Sequence, residues 1–124
     1  MKLTVLHVRE RKEHCSLVSV ETVDDDHLAE AIGAQYFEVY HRRVGPDRRE
    51  YTAICDEFGR MKGRQPTAAV PTNGYISFVG DILICKERGG DLASISEDDA
   101  AYLMSSVLTC RFKGQDIAVL GVDR

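Results

Sequence analysis

The chain predicts an α+β fold, a single domain in which a mainly antiparallel sheet of five to seven strands packs its apolar face against two helices. Three observations carry this expectation. Short runs rich in β-branched and aromatic residues recur between clusters of Gly, Pro, Asn and Asp, the pattern of strands joined by turns. Two stretches, near residues 25–33 and 97–108, place apolar residues at helical spacing behind acidic starts. A length of 124 residues suffices for one hydrophobic core and is short for two ordinary ones. No repeat, low-complexity run or linker interrupts the pattern, so one domain is expected over residues 1–124.

The elements follow in order. Leu3 to Val8 is apolar on both faces, which predicts a central strand. Arg9 to His14 reads as a charged turn, and Cys15 to Val20 as a second strand paired with the first. With Asp24 as N-cap, Val23 and Leu28 take the positions of a hydrophobic staple, and Asp25 and Asp26 face the positive end of a helix. Leu28, Ala31 and Ile32 form its apolar stripe and Gly33 its stop. Tyr36 to Arg42 alternates as a strand, Val44 to Arg49 turns, and Tyr51 to Cys55 returns.

Residues 65–74 read as irregular, with Asn73-Gly74 the strongest turn signal in the chain. Tyr75 to Val79 and Asp81 to Cys85 form one strand, or two halves bent at Gly80, where a glycine suggests a bulge or a close backbone approach. Leu92 to Ile95 is short and extended. Ser96-Glu97-Asp98-Asp99 resembles a capping box, followed by Ala100, Leu103, Met104, Val107 and Leu108 at helical spacing. Cys110 to Phe112 and Ile117 to Val122, on either side of Gly114, close the sheet.

Composition narrows the function classes. Net charge is −4, with eleven Lys/Arg against twelve Asp/Glu in residues 1–64 and five against eight in residues 65–124. Neither half has the basic excess of a nucleic-acid binder, so direct nucleic-acid binding is expected to be weak or absent. No apolar run approaches the ~20 residues of a membrane span. The N-terminal segment reads as a strand and not as a signal peptide, which makes the cytoplasm the expected compartment. Cys15, Cys55, Cys85 and Cys110 form no CxxC or CxxH pair, so reduced thiols and no metal are expected.

Candidate chemistry is sparse. His7, His14, His27 and His41 are dispersed over the N-terminal third, and no GxSxG, HExxH, P-loop or GxGxxG motif occurs. The expectation is therefore a protein that is not an enzyme and carries no cofactor. His41, Arg42 and Arg43 with Arg48 and Arg49 make a basic hairpin tip, which reads as a solvated turn with edge-protecting charge. Arginines at 42, 43, 48, 49, 60 and 64, Lys62, and Tyr36, Tyr40 and Tyr51 are the groups that nucleic-acid binding would use.

The most informative stretch is Cys55 to Arg64, with two acids, two glycines and three cations in ten residues directly after a strand. Such a run predicts an exposed loop on a rigid scaffold, where function tends to sit. Three segments together resemble a family of small proteins known only as a domain of unknown function and encoded on bacterial chromosomes, phages, plasmids and conjugative elements. The family's Asn-Glu-Glu-Gly-Lys-Leu run after a strand is matched by Asp56-Glu57-Phe58-Gly59-Arg60-Met61, its Gly-Asp-hydrophobic strand by Gly80 to Ile84, and its Ser-Leu-Ser/Thr-acid-acid helix start by Ser94 to Asp99. The similarity covers roughly residues 24 to 108. Asp56 stands where the family has Asn, Phe58 where it has Glu, Arg60 where it has Lys, and Pro66-Thr67 where it tends to have Pro-Asn.

What the resemblance implies is a mobile-element setting, where small proteins frequently antagonise host defence. The resulting expectation is a protein-binding module, an inhibitor of a host defence nuclease of the anti-CRISPR or anti-restriction type. The alternative is a small regulatory or nucleic-acid-associated accessory protein of a phage or plasmid with no defence target. Two surfaces are candidates for the partner: the loop residues Asp56, Glu57, Gly59, Arg60, Lys62 and Arg64, and the acids Asp91, Glu97, Asp98 and Asp99, which could occupy a cationic nucleic-acid channel.

Overall fold

The computed structural model of the protein describes residues 2–9, 15–21, 25–56, 58 and 62–123, and for residues 2, 15–21 and 25–27 it describes the backbone alone. In chain order the elements are β1 (Lys2–Val8), β2 (Cys15–Glu21), α1 (Asp25–Ala31), β3 (Phe37–Val44), β4 (Arg49–Asp56), β5 (Pro66–Ala69), β6 (Ile76–Val79), β7 (Ile82–Arg88), β8 (Asp91–Ala93), α2 (Glu97–Ser105), β9 (Val107–Phe112) and β10 (Gln115–Asp123). The strands pair in the order β2-β1-β7-β4-β3-β10-β5-β6, with β8 added to β7 and β9 to β10. Every pair is antiparallel except β5 with β10, where Leu120 and Gly121 run parallel to Ala68 and Ala69.

The α+β class, the two helices and the antiparallel bias agree with the sequence pattern. The strand count does not: among the described residues the sheet has ten strands, where five to seven were expected. One addition is β5, inside the stretch read as irregular. Its Pro-Thr-Ala-Ala sequence has little intrinsic strand preference, but Pro66 sits at the first position, which a strand tolerates, and Thr67, Ala68 and Ala69 are buried between β6 and β10. The Thr67 hydroxyl donates to the Gly80 carbonyl at 2.7 Å. At Gly80 the expected bend separates β6 from β7: φ is +74°, and an added Cβ would lie 2.6 Å from Cδ of Arg64.

Strand alternation sorts the core onto two faces. Leu6, Val8, Tyr51, Ala53, Ile82 and Ile84 pack with Leu103 of α2 and with Leu120 and Val122 of β10. Leu3, Val5, Ile54, Leu83 and Cys85 pack with Leu28 and Ile32 at α1. The helices therefore cover opposite faces, where a single apolar face had been expected to carry both. The double-sided apolar pattern of β1 follows directly, since it lies between β2 and β7 and is covered on both sides.

The ends of α1 and α2 show where local pattern holds and where it yields. Gly33, at φ +68°, stops α1 as expected, and the Ala34 N–H closes back on the Ala29 carbonyl at 2.8 Å. The proposed staple of Val23 with Leu28, and the charged turn from residue 10 to His14, lie outside the described residues. The capping box of α2 is present, with Ser96 Oγ accepting from the Asp99 N–H and Asp99 accepting from the Ser96 N–H. The helix ends at Ser105, however, and Val107 and Leu108 of the expected stripe belong to β9, opposite Leu120 and Val119 of β10. Pairing of a β-branched and an aliphatic residue into a ladder outweighs a stripe that Leu103 alone buries fully, while Met104 is 48% exposed.

Candidate binding cleft

The loop after β4 uses its charges to hold itself. Asp56, at the end of β4, is only 6% exposed. One of its oxygens accepts from the Phe58 N–H at 2.9 Å and the other from Lys62 Nζ at 2.7 Å, with the Arg64 guanidinium at 3.9 Å. Burial pushes the Asp56 carboxyl up, but the bonds from Lys62 and Phe58 and the two positive charges outweigh it and hold the group below its ordinary value. Arg64 also donates to the Gly33 carbonyl at 3.1 Å, tying the loop to the end of α1. Asp56, Lys62 and Arg64 are thus brought together, but around an internal carboxylate. Glu57, Gly59 and Arg60 lie outside the described residues.

The acidic candidates divide. Asp99 is 5% exposed and accepts from Tyr51 Oη at 2.8 Å, from Ser96, and from Lys86 Nζ at 3.1 Å. Burial pushes its carboxyl up, yet the Ser96 N–H, the Tyr51 hydroxyl and Lys86 outweigh that and hold it well below the carboxylate range. Tyr51 is pushed up to about 12 by burial and by the Asp99 carboxylate. Asp99 is therefore a strut between α2 and β4 rather than a surface acid. Asp91, Glu97 and Asp98 are exposed, and Asp98 meets Arg49 at 3.2 Å.

The third surface is the tip of the β3–β4 hairpin, which the sequence pattern had assigned to solvation. Residues 45–48 form its turn, closed by the Arg48 N–H on the Gly45 carbonyl at 3.1 Å. Tyr102 of α2 holds the tip: its hydroxyl donates to the Val44 carbonyl at 2.6 Å and accepts from the Asp47 N–H at 3.0 Å, and the Arg49 guanidinium stacks 4.0 Å above its ring. A Cβ on Gly45 would lie 2.4 Å from that hydroxyl, so the approach requires glycine. Arg48 has φ +51°. Left-handed backbone costs a residue with a full side chain about 1–2 kcal/mol, and here an arginine occupies it.

Between this tip, the end of α2 and β10 lies a cavity of about 410 Å³. Pro46, Pro71, Leu108, Gly121 and Val122 make its apolar surface, while Arg43 and Arg48 stand at it. Thr72 and Asp123 are shared with a second, more polar chamber of about 560 Å³ that contains Arg42, Asn73, Tyr75 and Ser77. Arg48 lies 3.5 Å from Asp123, Arg43 lies 3.5 Å from Glu50, and Arg42 donates to the His41 carbonyl while lying 4.9 Å above the Tyr40 ring. Arg42, Arg43 and Arg48 stand against Asp123 in the lining and Glu50 beside Arg43, which leaves one guanidinium in excess in a chain of net charge −4. The Gly121 N–H bonds the Ser106 carbonyl at 2.9 Å, which fixes the floor to the end of α2.

Sequence reasoning noticed the arginines of the tip but missed Pro71, Thr72, Gly121 and Asp123. These lie far along the chain and become neighbours only through the β10 pairings, for which no local motif exists. The glycine at 45 and the arginine where a turn wants a left-handed residue were the available signals. Of the four expected thiols, Cys55 and Cys85 are buried and free, each pushed up to about 12 by burial, Cys110 is half-buried and free, and the side chain of Cys15 lies outside what is described. Among the described residues no helix is long and apolar enough to cross a membrane.

No curated protein and no solved structure matches the chain. The model of a family described as a domain of unknown function, DUF3846, matches residues 1–108. That extends the region of likeness to the N-terminal strands, and the chain belongs to the DUF3846 family.

Proposed function

We propose that the protein is a non-enzymatic protein-binding module of a mobile genetic element that inhibits a host defence nuclease, of the anti-CRISPR or anti-restriction type. The observation that carries this reading is the acidic edge of α2. Glu97 and Asp98 project to solvent from a helix that has no basic residue, and the third acid, Asp99, locks that helix to β4 through Tyr51. A pre-ordered acidic edge loses little freedom on docking against a cationic surface. The mobile-element part of the reading rests on the genomic setting that the resemblance implies.

The test is capture from a host lysate, together with protection in a restriction or CRISPR interference assay. Wild-type protein should capture a nuclease and protect its target. Glu97→Gln with Asp98→Asn should lose both, at a stability cost of only about 0.3–1 kcal/mol for each first-turn charge removed. Capture unaffected by that double change removes the acidic edge from the proposal, and absence of both capture and protection removes the inhibitor itself.

A second reading, a nucleic-acid-associated accessory protein, is favoured by the grouping of Arg42, Arg43 and Arg48 with the exposed Tyr75. It expects weak binding of single-stranded DNA or RNA that falls steeply with salt.

A further inference from the structure

We propose that the two-chambered cleft at the β3–β4 tip is a binding site for a nucleoside phosphate, with the base in the apolar chamber and the phosphate held by the arginines. This goes beyond the protein-binding reading and stands without it.

Size is the first argument. Chambers of about 410 and 560 Å³ that share Thr72 and Asp123 lie in the range of small-ligand pockets, roughly 300–1,000 Å³. A single side chain of a docking protein would fill only part of that space. The lining is the second. Pro46, Pro71 and Leu108 offer an apolar surface for a flat ring, while Arg43 and Arg48 stand at the same chamber and Arg42 in its neighbour. Guanidinia meet phosphate oxygens through two parallel N–H bonds, a geometry that an ammonium cannot reproduce. Arg48 faces Asp123 at 3.5 Å with both side chains about half exposed, a pair weak enough for a phosphate to displace.

Backbone geometry is the third and independent argument. Arg48 holds a left-handed conformation, φ +51°, that glycine or asparagine would adopt with less strain. Strain of this kind persists where the surroundings over-determine it, and it clusters at ligand sites. Here the over-determination is visible: Tyr102 fixes the residues on both sides of Gly45, and the turn closes through the Arg48 N–H itself. Lys113 shares this backbone, at φ +50°, in the β9–β10 turn, so what sets Arg48 apart is the cleft at which it stands.

The experiment is calorimetric titration of the full chain with ADP, adenosine and inorganic phosphate, on the wild type and on Arg48→Asn and Arg43→Ala. ADP should saturate one site per chain, and adenosine and phosphate should each bind at least ~10-fold more weakly, because each engages one part of the cleft. Arg48→Asn should weaken ADP by ~10-fold or more while its Tm stays level or rises, since asparagine relieves the left-handed backbone. Arg43→Ala should weaken ADP to a similar degree. Three results overturn the proposal: no saturable heat with millimolar ADP, ADP binding unchanged in both variants, or phosphate alone binding as tightly as ADP.

Discussion

Arg48 directly precedes β4 and Arg64 lies in the segment that follows it, both near glycines, and their guanidinia end in opposite situations. Arg64 runs inward over Gly80, approaches the buried Asp56 and donates to the Gly33 carbonyl just past α1. Arg48 points to a cleft, with a half-exposed Asp123 as its carboxylate neighbour. The difference lies in the carboxylate within reach. A buried acid with a second cation, here Lys62, draws an arginine into the structure, because leaving that acid unpaired would be costly. An exposed acid gains little from pairing and leaves the guanidinium exchangeable. Two charged, glycine-containing segments thus part into a fastener and a recognition element.

The largest expected effect tests the support beneath the recognition turn. Leu103 is fully buried on the α2 face that carries Tyr102. Leu103→Ala should cost about 2–5 kcal/mol in denaturant unfolding. A loss below about 1 kcal/mol would mean that α2 is not packed on the sheet as described.

Next comes the fastener. Asp56→Ala removes the acceptor of the Lys62 and Phe58 bonds and should cost about 2–3 kcal/mol. Chemical unfolding of this variant beside one at Asp98, an exposed acid expected to lie within ~0.5 kcal/mol of wild type, sharpens the contrast. If both variants lose the same stability, burial is not what separates the two turns.

Acid titration probes the same difference without mutation. The folded values of Asp56 and Asp99 are depressed. Their contribution is therefore fully present above the unfolded carboxylate value of about 4 and is lost as pH falls through the folded values. Stability should drop below about pH 4, and the Asp56→Ala variant should show a shallower drop. An equal slope in both proteins would show that Asp56 is not held ionised by its partners.

Tyr102→Phe should cost about 1 kcal/mol, by removing the hydroxyl shared between the Val44 carbonyl and the Asp47 N–H. Amide hydrogen exchange should quicken at Asp47 and Arg48 and stay unchanged around Asp56. Unchanged exchange at the tip would mean that Tyr102 does not hold it.

Much of the fold was legible because its cues are local. Alternation in β3, the turn before β4, the Ser96 box and the stops at Gly33 and Gly80 each depend on residues within a turn or two of one another. β5 and the early end of α2 were not legible, since both depend on pairing with β10, 52 residues further along for Ala68 and Ala69 on one side and 11 to 13 further along for Val107 and Leu108 on the other. The candidate residues divided for the same kind of reason. Asp91, Glu97 and Asp98 are surface acids as composition suggests, whereas Asp56 and Asp99 look identical in sequence and are internal. Burial of an acid is decided by Lys62 and Phe58 in one case and by Tyr51, Lys86 and Ser96 in the other, and the distant pair, Tyr51 and Lys86, could not be read from spacing.

The match to the family ends at residue 108, whereas Gly121 and Asp123 of the cleft come from β10 beyond it. Within that strand Leu120 and Val122 belong to the core, and Val122 also meets the cleft beside Gly121 and Asp123. A Cβ at position 121 would lie 3.0 Å from Leu108, 3.2 Å from Pro71 and 3.2 Å from the Ser106 carbonyl, so the strand that closes the core also sets the depth of the cleft. Any side chain larger than glycine there would press on the end of α2 and fill the floor at once, which ties the shape of the cleft to the stability of the sheet.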